Sequence, residues 1–205
     1  EMCIRDRTGQ IRIRVGELAQ RAATHKDYLL SQLLINGATA GFNGYDGVPF
    51  FSHSHVSGQS GTQDNDIAVD ASSPSDPAPE EMKGAIKQAI SRILSFKDDQ
   101  GEPMALSPEG LICVVPPNML YTALETISAS VVGQTSNVLA GVARIIAMPS
   151  LSAAATWYLL KTDGVVRPFI FQDREPIEFG ALAEESEEGF KREKLLFGVR
   201  ARYRI

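Results

Sequence analysis

Two of the chain's three histidines stand one residue apart, in His53-Ser54-His55, with Asp46 ahead of them and Asp64 and Asp66 behind. In an extended segment, residues i and i+2 share a face. The two imidazoles would then point the same way, and an aspartate could add an oxygen ligand, as a zinc or iron pair can require. Such a site would suit a small metal-dependent hydrolase. The third histidine, His25, falls on a predicted helix, and no His-x-x-x-His spacing supports the pair. The preferred reading is that His55 hydrogen-bonds the turn made by Asp46 and Gly47, with no metal or other cofactor expected.

Other chemistry is thinner. There is no Gly-x-Ser-x-Gly and no phosphate-cradling glycine loop ahead of a helix, and Gly58-Gln-Ser-Gly61 has neither a strand nor a helix beside it. Cys3 and Cys113 lack metal-ligand spacing, and Cys113 sits in an apolar run where a buried free thiol is expected, which fits a reducing compartment. Tyr45, Phe50 and Phe51 could stack a ligand, but aromatics after a tight turn more often anchor it to a core, and that reading is favoured. No catalytic residue is assigned.

The elements that must position these residues follow from hydrophobic period. Leu18, Ala22, Leu29 and Leu33, flanked by Ala19, Ala23, Leu30 and Leu34, predict an amphipathic helix over about 15–36. Asn36-Gly37 is expected to end it through a left-handed glycine. Asp46-Gly47 makes a tight turn. Residues 56–79, dense in Ser, Gly, Asp, Asn and Pro, read as a long surface loop.

Glu80 to Lys97 is the clearest helix, with Pro79 at its start, Glu80 and Glu81 at its positive end, and Met82, Ile86, Ala89, Ile90 and Ile93 as its stripe. Asp98 to Gly101 should terminate it. Gly110 to Val115 is a continuous apolar run that predicts a strand buried on both faces. Pro116-Pro117 should end that strand and open a helix burying Leu120, Ala123, Leu124 and Ile127.

Gly133 to Asn137 reads as a polar loop. Strands are expected near Ala143–Met148 and Thr156–Lys161, then over Val165–Gln172, where Pro168 implies an edge or a bulge. The acidic run Glu184 to Glu188 reads as a solvated face. In the final strand Phe197, Val199, Ala201, Tyr203 and Ile205 alternate with Gly198, Arg200, Arg202 and Arg204. Arginines aligned on one face repel unless they meet acids, so an acidic neighbour is expected, in this chain or another copy, and all three arginines are candidate subunit contacts.

The 205 residues suffice for a core burying roughly 70% of the extended surface. The chain is 43% hydrophobic and 22% charged, which is ordinary for a globular protein, and no apolar run approaches a spanning helix. A net charge of −5 argues against tight binding to phosphates.

Tyr45-Asp46-Gly47, then Pro49-Phe50-Phe51 and His55 directly after a helix rich in alanine and leucine, resembles the major head (capsid) subunit family of Mu-like phages and prophages. Further matches follow in order: Gly101-Glu102-Pro103, the turn at Leu111 to Pro117, Met148-Pro149-Ser150-Leu151 to Trp157-Tyr158-Leu159, and the arginine-rich final strand. The resemblance covers about residues 12–205 and implies an α+β chain with the Hong Kong 97-type (HK97-like) capsid fold. Residues 8–78 and 166–205 would form a peripheral domain with the spine helix, and 79–165 an axial domain.

By the same resemblance the protein is a non-enzymatic virion component. It would assemble with copies of itself, in the cytoplasm of a bacterial host, into an icosahedral shell enclosing double-stranded DNA without reading its sequence. Scaffold, protease and portal proteins would be assembly partners, and no membrane is involved. An encapsulin-like host shell is the alternative within the same fold. Residues 1–7 resemble the translation of a transposon-end sequencing adapter and are expected to be non-native. Family members continue past the equivalent of Ile205, so truncation at both ends is expected.

Overall fold

The computed structural model describes residues 2–132, 135–152, 155–164, 167–182 and 196–205. Helix α1 is Met2–Asn36, α2 is Pro79–Leu94 and α3 is Leu120–Ser128. The strands are β1 (Leu111–Val115), β2 (Val131–Val132), β3 (Thr135–Ser136), β4 (Ala143–Ala147), β5 (Tyr158–Lys161), β6 (Gln172–Leu182) and β7 (Leu196–Arg204). The backbone divides into two units, one of Glu1–Leu30 with Phe169–Ile205, the other of Ser31–Pro168. Residues 31–78 therefore group with the segment that follows them.

The larger unit is built on β1. Its run of apolar, partly β-branched residues makes it the centre of a three-stranded sheet, parallel to β4 and antiparallel to β5. A parallel neighbour requires a crossover, and α3 lies within the connection between β1 and β4. Met82 and Ile86 from α2, Cys113 and Val115 from β1, Met119, and Ala123 and Ile127 from α3 form one core cluster, completed by Leu139. Full burial of a methionine, isoleucine or valine side chain in this cluster contributes about 1.5–3 kcal/mol by leaving water.

Leu124 departs from expectation, since it faces solvent while Met119 and Ala123 fill the interior. The end of α3 is closed by Asn137, whose side-chain amide donates to the Thr126 carbonyl (2.6 Å) and the Ala129 carbonyl (2.9 Å). Its oxygen accepts from the Leu139 amide at 3.0 Å, so this buried polar group is satisfied. The expected loop around it contains the short pair β2–β3.

Helix α2 starts where Pro79 and the two glutamates place it, and Glu81 reaches back to the Ala78 amide at 2.9 Å. Its other oxygen takes the Ser72 amide at 3.0 Å, tying down the end of the long loop. These backbone donors, Ala78 first, hold the Glu81 carboxyl below its usual range. The helix stops at Leu94, short of Lys97, where the Ser95 hydroxyl donates to the Arg92 carbonyl at 2.8 Å. The chain then bends through a small hairpin bridged at Lys97 and Pro103.

The long loop carries no helix or strand, as its composition predicts, but it is pinned. Gln63 bonds Lys97 through both ends of its amide, at 2.8 and 2.9 Å. Gly58 and Gly101 interlock beside it. A Cβ on Gly58 would fall 2.3 Å from the Asp99 carbonyl oxygen, one on Gly101 2.9 Å from that of Gln59, and both residues have positive φ.

In the smaller unit, α1 extends well before the expected start at residue 15. Residues 8–14 hold no proline, and the Arg14–Glu17 pair at 2.9 Å adds i,i+3 support. β6 and β7 form an antiparallel ribbon. The strand expected at Val165–Gln172 instead runs from Gln172 to Leu182. The proline that matters is Pro176, inside the two register shifts between Asp173 and Glu178. Val165, Val166 and the acidic run Glu184 to Glu188 lie outside the described residues.

Candidate functional site

Residues 42–50 form a miniature hairpin. Asn43 bridges Pro49, the Phe50 amide donates to the Phe42 carbonyl at 3.1 Å, and the Gly44 amide donates to the Val48 carbonyl at 2.7 Å. Gly47 takes the positive φ of 82° that the turn requires, as the sequence predicts. The Asp46 side chain, only 6% exposed, folds back across this turn. One of its oxygens accepts from the Val48 amide at 3.4 Å, and the other meets His55 Nδ1 at 2.6 Å. The hydrogen bond from His55 is the main reason the Asp46 carboxyl is held below its usual range. His55 Nε2 lies 3.2 Å from the Phe50 carbonyl oxygen.

The sequence expectation for His55 as a turn-holding residue is therefore met in geometry. Asn65 does as much and carried no signal. Its amide nitrogen donates to the same Phe50 carbonyl at 2.7 Å, and its oxygen accepts the Ser52 amide at 2.8 Å. Bonds from a loop side chain to backbone more than ten positions away leave no local pattern to read.

Phe51 ties the hairpin to the rest of the larger unit. Its amide donates to the Gly37 carbonyl at 2.9 Å, its ring meets Phe50 edge to face at 5.0 Å, and its ring centroid lies 5.3 Å from that of Tyr158. Tyr158 is buried and donates its hydroxyl to the Leu34 carbonyl in the last turn of α1, at 3.1 Å. Burial raises its pKa, with the Asp66 charge adding to the effect. Gly37 does not end the helix through a left-handed conformation, since its φ is not positive. Glycine is needed there because a Cβ would come within 2.7 Å of the Phe51 ring. Tyr45 corrects the anchoring expectation: it is 91% exposed at the hairpin tip while Phe50 and Phe51 turn inward.

His53 faces elsewhere. Its Nδ1 lies 3.1 Å from Asp64, its Nε2 lies 3.8 Å from Asp66, and Asp64 also pairs with Arg92 on α2 at 3.8 Å. The two imidazoles thus serve different carboxylates, and no group of three or more metal-ligating side chains is found among the described residues. Cys113 lies at the buried centre of β1, where desolvation pushes its thiol up to about 12 and leaves little thiolate at neutral pH. The third histidine sits on α1, its Nδ1 2.5 Å from the Tyr203 hydroxyl.

The arginine strand finds its acids within the chain. On β7, Arg200 lies 3.5 Å from Glu175 and 3.7 Å from Glu178, and Arg202 lies 3.9 Å from Glu175, all across the ribbon on β6. Arg204 stands opposite Gln172 and makes no ion pair among the described residues. The expected acidic neighbour is thus β6.

Among the described residues, those singled out for chemistry hold a turn, a ribbon and a sheet. No helix among the described residues is long and apolar enough to cross a membrane. No curated protein and no solved structure matches the chain. The sequence model of the phage capsid protein family, however, matches residues 1–205. A match that runs from one end of the chain to the other establishes that the chain belongs to the phage capsid protein family, whose members assemble as subunits into the shell of a virion.

Proposed function

We propose that this capsid protein is the major head subunit of a Mu-like tailed phage or prophage. In this reading it has the Hong Kong 97-type fold and closes with copies of itself into an icosahedral shell around double-stranded DNA. The observation that carries the reading is the family match over the full chain, and the resemblance of the ordered motifs from Tyr45-Asp46-Gly47 to the arginine strand supports the Mu-like part of it. No reaction is assigned.

The long helix and the final ribbon serve the peripheral domain in this proposal, and residues 79–165 the axial one. Assembly takes place in the bacterial cytoplasm with scaffold, protease and portal partners. A net charge of −5 suits an inner wall that must not hold packaged DNA tightly. Reusing one heterologous interface at slightly different angles closes a shell.

The test is expression from the encoding reading frame, followed by size-exclusion chromatography and negative-stain electron microscopy. Closed shells or rings of subunits are the expected products. A stable monomer or dimer at every concentration tried would overturn the proposal.

A further inference from the structure

His55 meets two partners that only accept. A carboxylate oxygen of Asp46 lies 2.6 Å from Nδ1, and the Phe50 carbonyl oxygen lies 3.2 Å from Nε2. A neutral imidazole carries one N–H and one lone pair, so it can donate to one of these partners but not both. We propose that the second proton of His55 fastens the hairpin: the imidazolium donates to Asp46 and Phe50 together, and losing that proton releases one end of the clamp.

Which end lets go follows from charge. With the proton left on Nε2, a lone pair would face the Asp46 carboxylate across 2.6 Å, so the neutral ring keeps its proton on Nδ1. The Phe50 carbonyl then faces the Nε2 lone pair, while Asn65 goes on donating to it. The next residue, Phe51, is the one whose amide binds Gly37 and whose ring reaches Tyr158. Release is therefore transmitted to the join between the hairpin and the end of α1.

The charged group facing His55 is Asp46, and the carboxylate also takes the Val48 amide, which fixes its orientation. Asp64 and Asp66 face His53, with Arg92 of α2 on Asp64, so the second histidine nearby meets other partners. This inference rests on the geometry of the turn and not on the capsid reading, and either can fail alone.

The test is a pH titration of the 15N-labelled chain by NMR, following the ring nitrogens of His55 and the backbone amides of Gly37, Val48 and Phe51. On the acid side of its titration both His55 ring nitrogens should carry protons, and the Phe51 and Gly37 amides should shift in step with the loss of one. The response should persist in His53→Gln. In Asp46→Asn the side-chain amide can donate to Nδ1 of a neutral ring while Nε2–H still serves Phe50, so the pH response of Phe51 should disappear with the hairpin intact. A His55 ring that carries a single proton while the hairpin holds its geometry would overturn the proposal, as would amides at Gly37 and Phe51 that ignore the His55 titration. Should the asparagine variant fail to fold, the wild-type titration decides the matter.

Discussion

At the scale of single residues, the chain uses its polar side chains to close backbone. Asp46, Asn65, Glu81 and Asn137 each satisfy amides or carbonyls that the hairpin, the loop or a helix end leaves open. The acid side of the stability profile should show this. The folded pKa of Asp46 is lowered, so its contribution is complete above the unfolded value near ~3.9 and is lost as pH falls through the lower folded one. Thermal melts taken as pH falls below about 4 should therefore drop more steeply for the wild type than for Asp46→Asn, and parallel curves there would contradict the assignment. Gly37→Ala tests a contact of another kind. The added methyl would meet a Phe51 ring already held by Phe50 and Tyr158, so a loss of about 1–3 kcal/mol is expected in denaturant unfolding.

At the scale of elements, what repeats in sequence was legible and what depends on a distant partner was not. The stripe through Met82, Ile86 and Ile90 gave α2 its buried face, and the unbroken apolar run gave β1 its central place, because both are local consequences of period and burial. β6 escaped notice for a physical reason: Asp173 to Glu178 carries four charged residues and a proline, and reads as a loop until the arginines of β7 are laid opposite. The candidate site divides in the same way. His55 and Asp46 could be paired from their spacing around a turn, whereas Asn65 and Tyr158 are joined to it only through three-dimensional contacts. Ile86, fully buried between α2 and the sheet, should show how far the elements depend on their common core. Ile86→Ala is expected to cost about 2–5 kcal/mol by equilibrium unfolding, and a cost near zero would mean that the site collapses around the cavity.

At the scale of the whole molecule, the capsid family makes the subunit one tile among many, and the arginine ladder then has two roles to separate. Exposed pairs such as Arg200 with Glu178 contribute about 0–1 kcal/mol to a single chain. Arg200→Gln, Arg202→Gln and Arg204→Gln combined should therefore change the melting temperature little while removing particles from the size-exclusion profile, if these residues also bridge copies. Shells formed as readily by the triple variant would confine the ladder to the ribbon.

Cys113 offers one more consequence. A thiol sealed at the centre of β1 reacts with a disulfide reagent only when the sheet parts, so its labelling rate is a stopwatch for opening events too rare to populate. Timed in a Cys3→Ser background, free subunits and assembled particles would give two rates. Their ratio would measure how strongly neighbours in a shell suppress the opening of this sheet, with a slower rate in particles expected and equal rates placing the sheet beyond the neighbours' influence.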